Sequence, residues 1–497
     1  MTSGVVIAVL VIYLLILLGL GLWGSKESGS VAGYFVAGKK LPSWVIAFSS
    51  NATGESAWLL LGLTGMGYLV GFHALWIVLG EFLGVLLAWK YVAQPFKEYT
   101  DRYNSITVPD YLTARFHDER HVIRVISAVI ILSMVTAYTA AQLTASGKAF
   151  ESFLGTSYSG GVWIGAAVIL YYTTVGGFKA VAYSDFLQGL LMFACLSALP
   201  IVGIAALGGW SPFIDGLRAQ DPHLLALMGA NGFSPAGIIS VAGFIAIGFA
   251  FLGSPQLLTR FVAARSQRDI LQGGKIAVGC ILVFDIGAVF GGMAGRVLFP
   301  GLPDPETILP LMSTTLFPAV FTGVFLVVVL AAIMSTVDSL LILASSSVVR
   351  DVIQQIFRPK VSELRLTLYG KAVTVLIGAA ALTAALTESR AIFWFVLFAW
   401  SGLASAFTPV VLCSLFWKGT TRLGVIWGMV SGFLAAILWV VIFKEGFFDL
   451  YEMIPGFVIG FGVTVGVSLV TGAPDGAEEE MVSVGEAVKV ASREKGL

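Results

Sequence analysis

Apolar runs of about 20 residues, separated by short polar segments, recur along almost the whole chain. A hydrocarbon core about 30 Å thick is crossed by roughly 20 apolar residues in a helix, so each run predicts a membrane span. We read the first run as a span and not as a signal peptide, because no basic residue precedes it and no cleavage-site pattern follows it. The pattern predicts thirteen helices, at 4–23, 43–70, 73–96, 122–153, 158–175, 181–207, 236–259, 275–298, 317–347, 368–387, 391–416, 422–443 and 453–471.

The basic residues between these spans are distributed unevenly. Of the 29 Lys and Arg residues, alternate segments place 23 on one side, Arg260 among them, and five on the other, with Lys90 near a helix end. Because Lys and Arg accumulate on the cytoplasmic side, this predicts an outside N-terminus and a cytoplasmic C-terminus. The final stretch, 472–497, contains the acidic triplet Glu478–Glu480 and is expected to be a solvated cytoplasmic tail.

Composition agrees with this pattern. The chain is 57% hydrophobic and 12% charged, against about 25% charged in soluble proteins. We therefore expect an all-α polytopic membrane protein with one transmembrane domain at 1–471. The spans contain no HExxH sequence, no paired aspartate motif on facing helices and no histidine at depth, which argues against an enzyme. The sequence contains no re-entrant filter loop of the kind that would indicate a channel. No cofactor or nucleic-acid partner is expected.

Two predicted helices carry residues that interrupt a helix. The second has the polar cluster Asn51–Ser56 around Gly54, and the seventh has Gly248, Gly253, Ser254 and Pro255. Either one alone fits a packing kink beside small residues. Interrupted helices at matching positions of two halves, five helices apart, indicate an inverted-repeat transporter with a midplane site.

The ninth helix carries a row of hydroxyl groups. Ala332, Ser335, Thr336 and Ser339 share one helical face, and Asp338 borders that face. Oxygen ligands of this kind suit a small alkali cation, whereas transition metals prefer Cys and His. Hydrogen bonding between helices is the alternative explanation for the hydroxyls.

Asp185 and Asp285 also lie within predicted spans. Asp185 shares a helical face with Gln188, and it could be a second cation ligand, a proton carrier, or a carboxylate stabilised at a helix N-terminus. Asp285 has no polar neighbour at helical spacing, so we interpret it as a structural partner.

Five segments, found in order along the chain, carry a family likeness: SNATGESAWLLLGLTG, YTTVGGFKAVAYSDFLQG, FLGSPQLLTRF, LAAIMSTVDSLL and FAWSGLASAFTPVVL. Together they resemble the sodium–solute symporter family, with most likeness to its bacterial sodium–proline branch. The resemblance implies a leucine-transporter-like fold, in which the second to eleventh helices form two inverted five-helix repeats. The repeats are expected at about 43–207 and 236–443, in the inner membrane of a bacterium.

The resemblance also implies binding residues. The sodium ligands are expected to be the carbonyls of Ala52, Glu55 and Ala332 and the hydroxyls of Ser335 and Thr336. A second cation or coupling site is expected at Asp185, Asp338 and Ser339. The solute pocket is expected at Ser56, Trp58, Tyr138, Phe251, Pro255 and Trp400.

The chain departs from that branch near the pocket. It has Gly54 where those carriers have an aspartate, with Glu55 next to it, and Ile247 and Phe251 where they have Trp and Tyr. A site that hydrogen-bonds its substrate discriminates strongly, so these changes bear on the solute.

The expected function is sodium-coupled import of a small zwitterion, L-proline in the first instance, by alternating access. Another amino acid, a small carboxylate, or proton coupling through Glu55, Asp185 and Asp338 remain open alternatives. The expected partners are the solute, sodium ions and the lipid bilayer. A sensor role would need a separate signalling partner.

Overall fold

The computed structural model describes residues 2–25, 29–357, 360–387, 392–447 and 449–493. Within these ranges the chain is helical, and its single β-type pairing is an isolated bridge between Leu41 and Ala264. The helices are α1 Thr2–Gly24, α2 Val31–Val36, α3 Ser43–Ala57, α4 Thr64–Val70, α5 Leu75–Leu87, α6 Ala93–Arg102, α7 Val108–Arg115, α8 Val122–Leu154, α9 Tyr158–Ala206, α10 Trp210–Gln220, α11 Pro235–Ile247, α12 Pro255–Ala263, α13 Gln267–Leu298, α14 Ile308–Leu316, α15 Ala319–Ser346, α16 Glu363–Ala385, α17 Ile392–Phe416, α18 Arg422–Leu438, α19 Met453–Thr471 and α20 Ala477–Arg493.

Eleven helical segments of the described chain are long and apolar enough to cross a membrane. One of them, Ser43–Arg102, holds two predicted spans that meet at Gly71, where φ is 57°. The predicted spans 158–175 and 181–207 form one helix, α9, which changes direction at Gly177 with φ 64°. Glycine adopts such a φ readily, so the chain changes direction at this one residue and no loop separates the two spans. The count of thirteen stays a prediction, and residue 391 at the start of one predicted span lies outside the described residues.

The two predicted interruptions are present. In α3 the helical conformation fails at Ser56, with φ 55° and ψ −168°, and the chain resumes through a π-helical turn at Trp58–Leu63 before α4. Between α11 and α12 the chain narrows to a 3₁₀ turn at Gly248–Leu252, and Pro255 then begins α12. Proline has no N–H to donate, so the first turn of a helix tolerates it.

The two interrupted helices are tied together at one end. Leu41, just before α3, accepts a hydrogen bond from the Arg265 N–H (2.9 Å) and donates its own N–H to the Ala263 carbonyl (3.0 Å), at the end of α12. The backbones also cross closely elsewhere, since a Cβ on Gly84 of α5 would lie 1.9 Å from the Gly248 carbonyl oxygen. These contacts hold α3, α5 and the break after α11 as one packed unit.

The C-terminal stretch differs from the expected solvated tail. Residues of α20 pack back onto the bundle, where Glu480 pairs with Arg115 and accepts from the Tyr103 hydroxyl, and Val484 is buried. Burial, and then the Glu480 carboxylate, raise the pKa of the Tyr103 phenol. Acidic residues of this stretch therefore contact the side of the bundle that carries most of the basic residues. Residues 494–497 lie outside the described part of the chain.

Candidate functional site

The break at Ser56 frees backbone groups in the middle of a membrane helix. The Ala57 N–H is taken up by the side-chain carbonyl of Gln142, on α8, at 3.2 Å. The Trp58 N–H bonds to the Ser56 hydroxyl at 3.1 Å and to the Glu55 carbonyl. Unpaired backbone groups are costly in lipid, so irregular backbone at this depth is found where protein or a cavity surrounds it.

Four of the five expected sodium ligands meet where α15 crosses α3. The Ser335 hydroxyl lies 3.0 Å from the Ala52 carbonyl oxygen and 3.0 Å from the Ala332 carbonyl oxygen. The Thr336 hydroxyl lies 3.1 Å from the Ala332 carbonyl oxygen and 3.3 Å from that of Thr53. All of these residues are fully buried. The arrangement gathers neutral, hard oxygen atoms from two helices at one point.

Glu55, the fifth expected ligand, has a different setting. Its carbonyl accepts the Trp58 N–H, and the Thr53 carbonyl is the one that faces Thr336. Its side chain meets those of Glu81 on α5 and Asp285 on α13, with one oxygen from each within 4.8 Å of the other two. The structural role assigned to Asp285 from the sequence therefore missed its two acidic neighbours.

Asp185 lies eight residues after the kink at Gly177, beyond the first turn of the second segment of α9, where a helix N-terminus acts on a charge, so the helix-terminus explanation was wrong. The Ser49 hydroxyl donates to it at 2.6 Å, and the Arg260 guanidinium lies 3.2 Å away. Arg260 also donates to the Thr53 hydroxyl (2.7 Å) and to the Ser339 hydroxyl. The guanidinium thus occupies the centre of the expected second cation site.

Asp338 completes this group from α15. Its carboxylate is fully buried and lies 3.5 Å from the Ser339 hydroxyl. The side-chain amide of Gln188 donates to the Tyr13 hydroxyl on α1 at 2.8 Å. The three residues expected to form the second site, Asp185, Asp338 and Ser339, are therefore gathered around one arginine.

The sequence pattern predicts Arg260 in a loop after the span 236–259, and that prediction is wrong. Its side chain is about 1% exposed, since α12 extends to Ala263 and carries Arg260 into the bundle. The Gln256 carbonyl one turn earlier accepts from it at 2.6 Å. Hydropathy predicts a loop where a basic residue follows an apolar run. The pairing of Arg260 becomes visible only when the acidic residues of other helices are seen beside it.

The expected solute residues form a partial cluster. Tyr138 interacts with the Ser56 hydroxyl, and its ring lies 6.4 Å from that of Trp400 in an edge-to-face contact. The Trp400 ring in turn lies 5.4 Å from that of Phe251. Trp58 stacks on Phe393, with ring centroids 5.5 Å apart.

The remaining expected solute residue, Pro255, is buried at the start of α12. The Trp400 indole N–H donates to the Ile247 carbonyl at 3.1 Å. That bond fixes the ring against the last residue before the second interruption.

Gly54 explains one departure from the sodium–proline pattern. A Cβ added to Gly54 would lie 2.7 Å from the ring of Phe251. The ring thus fills the space that a side chain at position 54 needs. An acidic residue at 54 and a phenylalanine in this rotamer at 251 exclude each other here.

Two cavities lie on the side with few basic residues. One, of about 370 Å³, is lined by Asn231, Ile247, Trp394 and Tyr451 among others. A second, of about 320 Å³, is lined by Lys148 and also by Trp394. Ile247, which lines the first cavity, accepts the hydrogen bond from Trp400. The cavity therefore reaches the rings of Trp400, Phe251 and Tyr138 from the side of Ile247.

Comparison with known proteins agrees with this geometry. A model of the Sodium:solute symporter family matches residues 34–432. A high-affinity proline transporter of Bacillus subtilis strain 168 is 36% identical over 92% of this chain and 96% of its own length. An osmoregulated proline transporter of the same organism is 32% identical over 97% of this chain and 98% of its length. A sodium/proline symporter of Staphylococcus aureus is 34% identical over 93% and 92%.

Solved structures show the same fold at low sequence identity. A sodium-coupled sialic acid symporter, in a substrate-bound outward-open state, is similar with a TM-score of 0.80 at 18% identity, covering 94% of this chain and 98% of its own. A nucleobase–cation symport-1 family transporter in a closed conformation reaches a TM-score of 0.51 at 13% identity, covering 92% and 99%. The leucine-transporter-like fold with two interrupted helices is confirmed. By its match to the family model and to full-length relatives, this chain belongs to the sodium:solute symporter family and is a multi-pass membrane transporter.

Proposed function

We propose that this protein couples the inward movement of sodium to the import of L-proline by alternating access. The observation that carries the proposal is the contact of Ser335 and Thr336 on α15 with the backbone carbonyls of interrupted helix α3. Three relatives at 32–36% identity are proline transporters or sodium/proline symporters. The proposal therefore joins a local geometry to the activity of similar full-length proteins.

Sodium binds between α3 and α15 in this proposal. Its ligands are the carbonyls of Ala52 and Ala332 and the hydroxyls of Ser335 and Thr336, with the Glu55 carbonyl added when α3 rearranges around the ion. The hydroxyls now point at carbonyl oxygens, and a cation between them replaces those hydrogen bonds with ion–oxygen contacts. Since the ligands come from two helices, occupancy ties α3 to α15.

Proline binds next to the two interruptions. Its carboxylate lies at a half-helix start, where the helix dipole favours an anion. Its ring packs on Phe251 and Trp400, and the Ser56 and Tyr138 hydroxyls close the polar side. Trp58 and Pro255 shape the surrounding helix ends.

Sodium and proline favour the same ordered form of the Asn51–Ser56 segment. Each therefore raises the affinity of the other, and the coupling is reciprocal. An inward-negative membrane potential adds about 2.3 kcal/mol per charge per 100 mV, so import of one sodium with a neutral zwitterion is electrogenic.

The orientation follows from charge. The side with few basic residues and the two cavities faces outward, with the N-terminus, and the side that docks α20 faces the cytoplasm of a bacterial inner membrane. The cavity that reaches Ile247 is then the entry route for solute. Asp185, Asp338 and Ser339 act as a coupling site whose negative charge is partly offset by Arg260.

Uptake of labelled proline into proteoliposomes tests the proposal. We expect uptake to require an inward sodium gradient, to rise with an inside-negative potential, and to stay at background with a proton gradient alone. A panel of unlabelled amino acids and small carboxylates then competes, and proline should compete best. Equal uptake with a proton gradient alone favours proton coupling, and stronger competition by another compound names a different solute.

A further inference from the structure

Three acidic side chains outside the proposed sodium site converge in the middle of the bundle. Glu55 lies next to the break in α3, Glu81 is the central residue of α5, and Asp285 lies near the middle of α13. One oxygen from each side chain lies within 4.8 Å of the oxygens of the other two. We call this group the carboxylate trio.

The oxygens of the trio have no hydrogen-bond donor outside the trio among the described residues, and the three side chains interact only with one another there. This holds for both oxygens of Glu55, both of Asp285 and one of Glu81. Glu55 and Asp285 are 0% exposed and Glu81 is 3% exposed. Buried acceptors are almost always satisfied in folded proteins, so these five oxygens without an outside donor indicate that protons or a bound ion complete the group.

A second buried acidic group in the same protein shows what such a partner does. At Asp185 and Asp338 the partner is built in, since the Arg260 guanidinium lies between the two helices that carry them. The titratable neighbours of the trio are the neutral phenols of Tyr138 and Tyr451. An uncompensated buried charge costs several kcal/mol, so protons shared within the trio or a cation from outside the chain must offset its charge.

The geometry suits a hard cation. Carboxylate oxygens bind calcium at about 2.3–2.6 Å, and sodium is an ion of similar size. Oxygens on opposite sides of such an ion are about 5 Å apart and adjacent ones are closer, so three oxygens within 4.8 Å of one another can contact a single cation. The site is also held firmly, since Gly80 and Gly84 on either side of Glu81 pack against the backbone of α11 and the break that follows it.

We propose that Glu55, Glu81 and Asp285 form a second cation-binding site, with sodium as its expected occupant. The site uses side-chain oxygens from α3, α5 and α13, whereas the proposed sodium site uses hydroxyls of α15 and backbone carbonyls, so the two sites have different ligand atoms. The inference depends on the proposed function for its role in transport, but binding itself does not. A sodium ion offsets one of the three charges and a divalent ion offsets two, so the experiment compares them.

Equilibrium binding of labelled sodium to the purified full chain in detergent tests the site. We expect Asp285→Asn and Glu81→Gln each to bind about half as much sodium per protein as the wild type. Asp269→Asn, which removes a carboxylate at the start of the same helix, should bind the wild-type amount. A parallel arm uses labelled calcium, and calcium bound by the wild type but not by Asp285→Asn assigns the site to a divalent ion.

A variant that leaves the trio intact provides a test even if the trio variants fail to fold. Ser335→Ala with Thr336→Ala removes hydroxyls of the proposed sodium site, and we expect this protein to keep about half of the bound sodium. Loss of all bound cation in that folded double variant overturns the trio as a site. So does unchanged sodium and calcium binding in both Asp285→Asn and Glu81→Gln. Failure of the proposed function shows separately, as full sodium binding in the double variant together with absent proline uptake by the wild type.

Discussion

The Ser335 hydroxyl lies 3.0 Å from the carbonyl oxygen of Ala52, 283 residues away along the chain. This contact joins the continuous helix α15 to the interrupted helix α3, and thus the two repeats of the fold. An ion bound at the same point has ligands from both helices. Its arrival can therefore change how the two helices pack, which is what coupling requires.

Replacing both Ser335 and Thr336 by alanine should weaken sodium dependence of transport. Hydrogen bonds or ligand contacts to a charged group contribute about 1.5–3 kcal/mol, so the loss of two ligands predicts a rise of more than tenfold in the sodium concentration for half-maximal uptake. The measurement is initial uptake at a series of sodium concentrations. Ser345→Ala is the matched control on the same helix, because its hydroxyl bonds to the Gly370 carbonyl, away from α3. An unchanged sodium requirement in the double variant refutes this site.

Gln142 should support the interrupted conformation of α3. Its side-chain carbonyl accepts the Ala57 N–H, which the break at Ser56 leaves without a helical partner. Gln142→Leu strands that N–H, at about 1–3 kcal/mol. We expect apparent affinities for sodium and proline to fall together, by roughly five- to a hundredfold, since both depend on the same ordered segment.

The matched control for Gln142 is Gln188→Leu. That variant also removes a buried amide, but its hydrogen bond goes to the Tyr13 hydroxyl on α1. It should lower thermal stability while leaving the two affinities near their wild-type values. If Gln142→Leu lowers stability in the same way and changes neither affinity, Gln142 has only a packing role.

Local patterns in the sequence were sufficient to predict the helix breaks and the Ser335 face. Glycine and proline at 248–255 and hydroxyls at helical spacing act within a single helix, so they can be recognised without knowing its neighbours. Arg260, Glu81 and the Asp285 environment could not be predicted this way. Their roles depend on side chains from helices far apart in the chain, and neither hydropathy nor spacing reports which faces meet.

Gly54 and Phe251 should depend on each other. Gly54→Ala places a methyl group 2.7 Å from the Phe251 ring, which has to move. We expect Gly54→Ala to lose most proline uptake, through displacement of the ring against Trp400. Overpacking of this kind typically costs about 1–3 kcal/mol.

A second substitution tests that explanation. Phe251→Leu frees space beside position 54, so the double variant Gly54→Ala, Phe251→Leu should transport better than Gly54→Ala alone. Gly4→Ala is the control, because a Cβ there meets nothing within 4 Å. Equal loss in the single and double variants means that Gly54 is needed for backbone reasons and not for its contact with the ring.

Arg260 should act as a built-in cation for the Asp185 group. Arg260→Gln leaves Asp185 and Asp338 without their positive partner, and breaking a buried ion pair from one side costs about 3–5 kcal/mol. We expect a large fall in the melting temperature of the purified protein. Added sodium should raise the melting temperature of the variant by more than it raises that of the wild type. The reason is that a sodium ion can enter the space between the carboxylates and the Ser339 hydroxyl.

Removing Asp185 together with Arg260 distinguishes the loss of the carboxylates' positive partner from a general loss of stability. The double variant Asp185→Asn, Arg260→Gln buries one carboxylate fewer, so it should be more stable than Arg260→Gln and should respond less to sodium. Arg218→Gln is a control, since its pair with Asp215 is exposed on the surface and such pairs contribute little. If the sodium response of Arg260→Gln equals that of the wild type, the guanidinium does not hold the place of an ion. The melting curves also compare sodium with potassium at equal ionic strength, because a general salt effect would raise both alike.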